Sequence, residues 1–173
     1  MSRKNPTSLR DFQARLTDRL KQASTQRTVS AHLGIQIGEQ RYLVELSEAG
    51  EIVPMPAISP VPLTFDWFKG VANLRGALYS VSDLARFMGL GPTPMDRDSR
   101  LLALATRLNF NACIIVSKML GLRNVQQMQV LDSTQGGSGG VLGMQYRDED
   151  GIVWRELRLA ALSQDERFLL VGR

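Results

Sequence analysis

The sequence predicts a mostly β protein, a small barrel or sandwich with its helices towards the ends. Three observations lead there. Through the middle of the chain apolar residues recur at every second position in short runs, clusters of Gly, Pro, Asn and Asp separate those runs, and helical spacing is clear only near the termini. About eight strands are implied. The 173 residues fit one domain or two small intertwined subdomains, a size at which roughly 70% of the unfolded surface is buried.

Residues 7–24, "TSLRDFQARLTDRLKQAS", place Leu9, Phe12, Leu16, Leu20 and Ala23 three or four apart, on one helical face, with an arginine-rich face opposite. The spacing therefore predicts a basic amphipathic helix that leans on something, because so narrow an apolar stripe does not hold a helix alone. Residues 1–28 are expected to be a helical extension and 29–173 the folded domain. From residue 29 the period changes to two. Leu33, Ile35 and Ile37 alternate with smaller or polar residues, the chain turns through Gly38-Glu39-Gln40, and a second strand runs from Tyr42 to Leu46. A short strand at Glu51–Val53 leads into Pro54, Pro56, Pro60 and Pro62, whose missing donors and fixed φ predict a stiff connection.

"LLALATRL" and "NACIIVSKML" read as two buried strands joined at Asn109-Phe110-Asn111. "STQGGSGG" reads as an exposed loop. "VLGMQYRDEDGIVWREL" predicts a hairpin about Asp150-Gly151, and "AALSQDERFLLVG" a closing helical stretch capped by Ser163 and Glu166.

Composition narrows the chemistry. One cysteine, Cys113, and one histidine, His32, are too few for a structural zinc site and make a Cys–His or Ser–His nucleophile improbable. No metal site, cofactor or catalytic group is predicted. No apolar run nears the roughly 20 residues of a membrane span, and the basic start lacks the apolar stretch of a secretory signal. A cytoplasmic protein without direct membrane insertion is expected. The net charge of +4 is concentrated: residues 1–28 hold seven basic and two acidic side chains, which leaves the remainder at −1. A small barrel binding nucleic acid is the rival reading, but a near-neutral body and tryptophans and tyrosines not interleaved with basic residues argue against it. Asp96, Asp98 and the run Asp148-Glu149-Asp150 read as turn residues and not as catalytic carboxylates.

The least interchangeable stretch is "FKGVANLRGALYSVSDLARFMG", residues 68–89. "VANLR" and "ALYSV" read as strands meeting at Gly76, Gly70 separates the preceding aromatic turn from the first of them, and Asp83 caps the helix "LARFM". Arg75 stands among apolar residues beside the turn, where its stem can lie on the core while its donors tie loop carbonyls or carboxylates.

"FKGVANLRG" with "SVSDLARFMG", and "YLVELSEAGEIV" upstream, resemble the signature of the CheW-like domain, the coupling adaptor of bacterial chemosensory arrays, over residues 29–162. The N-terminal helix, "DWFKGVANLRG" and "FLLVG" most resemble the adaptors of type IV pilus systems. The resemblance implies two intertwined SH3-like five-stranded barrels around a shared core, with no reaction catalysed. It implies two partners: the regulatory domain of a CheA-like histidine kinase on a barrel face, and the cytoplasmic tip of a methyl-accepting chemoreceptor in a groove. By that resemblance the binding residues are Ala49, Ile52, Gly70, Val71, Asn73, Leu74, Arg75 and Gly76, with Asp83 a structural cap. The chain departs from the family pattern at Ser80, where proline is usual, at Ala85, where arginine is usual, and at Ala49, where a larger aliphatic residue is common.

Overall fold

The computed structural model describes residues 31–132 and 140–173. The basic helix, the boundary at residues 28 and 29 and nearly all of the glycine loop fall outside the described residues. Eleven strands occur among those that are described: β1 (Ala31–Ile37), β2 (Gln40–Glu45), β3 (Ala49–Pro54), β4 (Phe68–Leu74), β5 (Ala77–Ser82), β6 (Arg100–Leu104), β7 (Ala112–Val116), β8 (Lys118–Asn124), β9 (Gln129–Asp132), β10 (Leu142–Arg147) and β11 (Val153–Leu157). Three short helices accompany them, α1 (Leu84–Phe87), α2 (Leu159–Leu162) and α3 (Glu166–Leu169).

The strands form two sheets. One has the order β8-β1-β2-β11-β10-β9 and the other β3-β6-β7-β5-β4. The first and last described strands thus share a six-stranded sheet, while the strands between β2 and β8 supply a five-stranded one. The two subdomains are intertwined as expected, although one sheet has six strands where five were predicted. One of the additional strands has an identifiable cause. "NACIIVSKML" is not one strand, because Ser117 breaks it: its N–H donates to the Gln36 carbonyl at 2.8 Å and its Oγ accepts from Gly38 N at 3.0 Å, which turns the chain from one sheet to the other.

β6 and β7 separate two cores. Leu102, Leu104, Ala112, Ile114 and Val116 face the larger core, which they share with β1, β2 and the C-terminal helices. Leu101, Ala103, Cys113 and Ile115 face the smaller core inside the five-stranded sheet, with Ala72, Leu74 and Val81. Every residue of β7 is buried. That is why "ACIIV" lacks alternation: a strand covered on both faces needs apolar residues at every position.

Cys113 belongs to this wall, and burial pushes its thiol up to about 12. At pH 8 its thiolate fraction is then on the order of one in ten thousand. Iodoacetamide is expected to leave it unmodified in the folded protein and to alkylate it fully in urea, as intact-mass spectrometry will show.

An aromatic cluster fastens the C-terminal end. Phe168 of α3 stacks on Trp67 at 5.4 Å and meets Phe87 edge-on at 5.2 Å and Phe110 at 6.4 Å, ring centre to ring centre. The cap of α3 is Asp165, whose carboxylate accepts from Arg167 N at 2.9 Å. Ser163, predicted to cap this stretch, instead closes α2 by donating its hydroxyl to the Ala160 carbonyl at 2.7 Å. The predicted single helix is two short ones because the chain turns at Ser163-Gln164 before Asp165 restarts it.

Candidate protein-binding surface

The "NLRG" stretch is the tip of the β4–β5 hairpin. Leu74 pairs with Ala77 and Asn73 with Leu78, which leaves a two-residue turn, Arg75-Gly76. Both turn residues have left-handed φ, 53° and 88°. That pattern matches the primed turns whose twist suits a hairpin. Glycine adopts it freely; arginine at positive φ carries about 1–2 kcal/mol of strain. Asn73 offsets part of that by accepting from Gly76 N at 2.8 Å through Oδ1.

Arg75 does not lay its stem on the core. Its side chain is 82% exposed and reaches outward to pair with Glu51, Nη2 to Oε1 at 2.7 Å. Sequence reasoning placed a donor beside a carboxylate correctly but expected a packed stem; Arg75 lies beyond the last strand pair, Leu74–Ala77, at the exposed hairpin tip. β3 and β4 are opposite edges of the five-stranded sheet, so this ion pair spans the mouth of a curled sheet. β3 is shaped to meet it. A register shift between Ala49 and Ile52 brings Gly50 against β6, where a Cβ would lie 2.7 Å from the Leu104 carbonyl oxygen.

A second contact closes the curl further along. Ser59, in the proline-rich connection after β3, exchanges hydrogen bonds with Val71 of β4, Ser59 N to Val71 O at 2.8 Å and Val71 N to Ser59 O at 2.9 Å. Gly70 makes that approach possible. The sequence predicts a separator ahead of the strand; Gly70 instead lies inside β4 at a register shift, with φ of 129° and the Ser59 carbonyl oxygen 2.0 Å from where a Cβ would stand.

The predicted binding residues therefore divide by strand alternation. Leu74 is a buried residue of the smaller core, while Val71 and Asn73 lie outward on β4. Ala49, Glu51, Leu74 and Tyr79 line one shallow depression of 300 Å³ at the barrel mouth. Ile52, Val71 and Asn73 do not line it; Ile52 is exposed on β3. Sequence reasoning missed Leu78, which is 64% exposed directly across from Asn73. The signal was present: once the turn is placed at Arg75-Gly76, Leu78 shares the outward face with Asn73. A larger cleft of 1170 Å³ lies elsewhere, between Phe87 and Met88 at the end of α1 and the α2–α3 segment, and none of the predicted residues line it.

Asp83 is the cap it was expected to be, and more. Buried to 1% exposure, it accepts from Arg86 N at 3.3 Å in α1, and also from Thr93 N at 2.9 Å and Thr93 Oγ1 at 2.6 Å. It thereby fastens the loop after α1 to the start of the helix.

Two of the remaining carboxylates, Asp96 and Asp148, are occupied with turns. Asp96 accepts from Asp98 N at 2.8 Å, and Asp148 from Asp150 N, Ile152 N and Trp154 Nε1 at 2.8–3.0 Å. Trp154 and Trp67 are buried, so neither offers the open face on which a nucleic-acid base would stack. Among the described residues no group of His, Cys, Asp and Glu is arranged to hold a metal ion, and no helix is long and apolar enough to cross a membrane.

The chain is similar to known proteins. Residues 31–167 match the CheW-like domain. The chain is 30% identical over 146 residues to Protein PilI of Pseudomonas aeruginosa, covering 81% of this chain and 79% of that protein. It is 28% identical to Protein FrzA of Myxococcus xanthus, covering 80% and 88% respectively. The crystal structure of scaffolding protein TtCheW from Thermoanaerobacter tengcongensis superposes with a TM-score of 0.62 at 19% identity, covering 74% of this chain and 88% of that one, which is a likeness of fold. Two interlocked sheets, the hairpin tip across a barrel mouth and the match along most of the sequence lead to one assignment: the chain belongs to the CheW-like domain family.

Proposed function

We propose that the chain is a non-catalytic adaptor that couples a methyl-accepting chemoreceptor to a CheA-like histidine kinase. In this reading it works in the cytoplasm, is recruited to membrane receptor arrays, and serves a chemosensory system controlling twitching motility by type IV pili. The similarity to Protein PilI supports the choice of system, and membership of the CheW-like family supports the kind of partner. The observation that carries the mechanism is the hairpin tip at the barrel mouth. A strained, outward-pointing Arg75 is held by Glu51 beside exposed Ile52, Asn73 and Leu78. Strain held in place at a surface turn points to a functional position, and exposed apolar side chains beside one fixed cation suit the face of a receptor-tip helix. The regulatory domain of the kinase, itself barrel-like by the family resemblance, would take a second barrel face. Signal then passes as a difference in binding free energy between receptor states, and about 1–3 kcal/mol suffices to change occupancy roughly 5–150-fold.

Arg75→Gly tests this reading because it separates folding from binding. The lost ion pair is exposed and worth about 0–1 kcal/mol, and glycine removes the strain of the left-handed turn. The urea midpoint is expected to stay within error of the parent. Pull-down with the receptor tip is expected to weaken about tenfold or more, the loss of a charge-assisted anchor. Unchanged binding of both receptor tip and kinase domain would remove the hairpin tip from the mechanism.

A further inference from the structure

At the opposite subdomain the chain enters the fold beside a small socket. β1 begins at Ala31, which pairs with Asn124 at the end of β8. There β8 passes through a 3-10 turn at Val125–Gln127 into β9, and a cavity of 210 Å³ opens between this turn and the Asp148-Glu149-Asp150 turn of the β10–β11 hairpin. Leu122, 66% exposed, and half-buried Met128 form its apolar part. Its charges are not equivalent. Arg123 is held over the Trp154 ring at 5.0 Å and donates to the Leu120 carbonyl at 3.1 Å, and the Asp148 carboxylate is filled by its own turn and by Trp154. Glu149 and Asp150 make no ion pair with any described residue. The socket thus offers an uncovered leucine and two uncommitted carboxylates at the point where residue 30 meets residue 31.

The preceding segment carries the complement. Residues 1–30 hold seven basic and two acidic side chains, and the sequence spaces Leu16 and Leu20 on the apolar face nearest the entry point. Ser24 lies seven positions before Ala31, a reach of at most about 25 Å, while the socket adjoins Ala31 itself. A tether this short gives a local concentration in the millimolar range, so one apolar anchor and two or three charge pairs are enough.

We propose that the basic N-terminal segment docks onto its own six-stranded subdomain at this socket. Leu20 covers Leu122 and Met128, and Arg15 and Arg19 face Glu149 and Asp150. The proposal does not depend on the receptor and kinase reading.

Disulfide trapping in the full chain tests it, since buried Cys113 stays silent. Leu20→Cys with Gln127→Cys, oxidised in dilute solution, is expected to give an intramolecular link at a rate independent of protein concentration. Leu20→Cys with Leu78→Cys, on the other subdomain, should link several-fold more slowly. Adding Glu149→Lys and Asp150→Lys is expected to slow trapping roughly three- to tenfold, and Arg15→Glu with Arg19→Glu to restore it. Equal trapping at both positions, links only between two copies, or no trapping while the parent sediments with phosphatidylglycerol vesicles would each overturn the proposal.

Discussion

Phe168→Ala is expected to lower the melting temperature by about 6–20 °C, the largest effect of any single truncation near the C-terminus. Removing a buried phenylalanine costs about 3–5 kcal/mol, and a protein of this size loses roughly 2–4 °C per kcal/mol. The geometry puts the cost at the upper end. The ring is 2% exposed and sits between Trp67, Phe87 and Phe110, which come from the connection before β4, from α1 and from the β6–β7 loop. A cavity bounded by three rings from three segments does not collapse easily. It also loosens the C-terminal segment, which reaches back through Phe65 N to Val171 O and Arg173 N to Leu63 O, both at 2.9 Å. Differential scanning calorimetry with Phe168→Leu as the partial control is the measurement. A Phe168→Ala transition within 2–3 °C of the parent, below about 1 kcal/mol, would show that the cluster is not the clasp described.

How far the sequence foretold this structure depends on whether a position answers to local or distant neighbours. The β1–β2 hairpin was legible because alternation and Gly38 are local signals, and Gly38 does adopt φ of 60°. Asp83 was legible as a cap for the same reason, but its second role was not: Thr93 lies ten residues on, beyond any capping pattern. "NACIIVSKML" does not read as two strands because one serine between apolar residues does not reveal that Ser117 hands the chain between sheets; the partners that break it, Gln36 and Gly38, are some eighty residues away. At the binding surface, "NLRG" identified the tip, while the direction of Arg75 followed from its φ and from Glu51 across the barrel mouth. Gly70 shows the same limit. Its sequence context says only that a glycine is there; the backbone that demands it, Ser59, belongs to the proline-rich connection.

That demand gives the second large effect. Gly70→Ala is expected to destabilise by about 2–5 kcal/mol, combining roughly 1–3 for forcing atoms into packed space with roughly 1–2 for a side chain at positive φ. The added methyl would stand 2.0 Å from the Ser59 carbonyl oxygen and 2.9 Å from Pro60 Cα, both backbone atoms that cannot rotate away. Relief requires moving the 59–60 segment off β4, which breaks both Ser59–Val71 hydrogen bonds and opens the five-stranded sheet along the edge they close. Two measurements should move together: the urea midpoint falls, and amide exchange at Val71 accelerates, with cleavage by added protease appearing first in the 54–66 connection. Gly76→Ala is the informative comparison, because its φ is also positive, at 88°, but nothing lies within 4 Å of the added Cβ. Its cost should be the strain alone. Equal losses from the two alanines would mean that conformational strain, and not the approach of Ser59, is what reserves position 70 for glycine, and the closure of the barrel along that edge would lose its support.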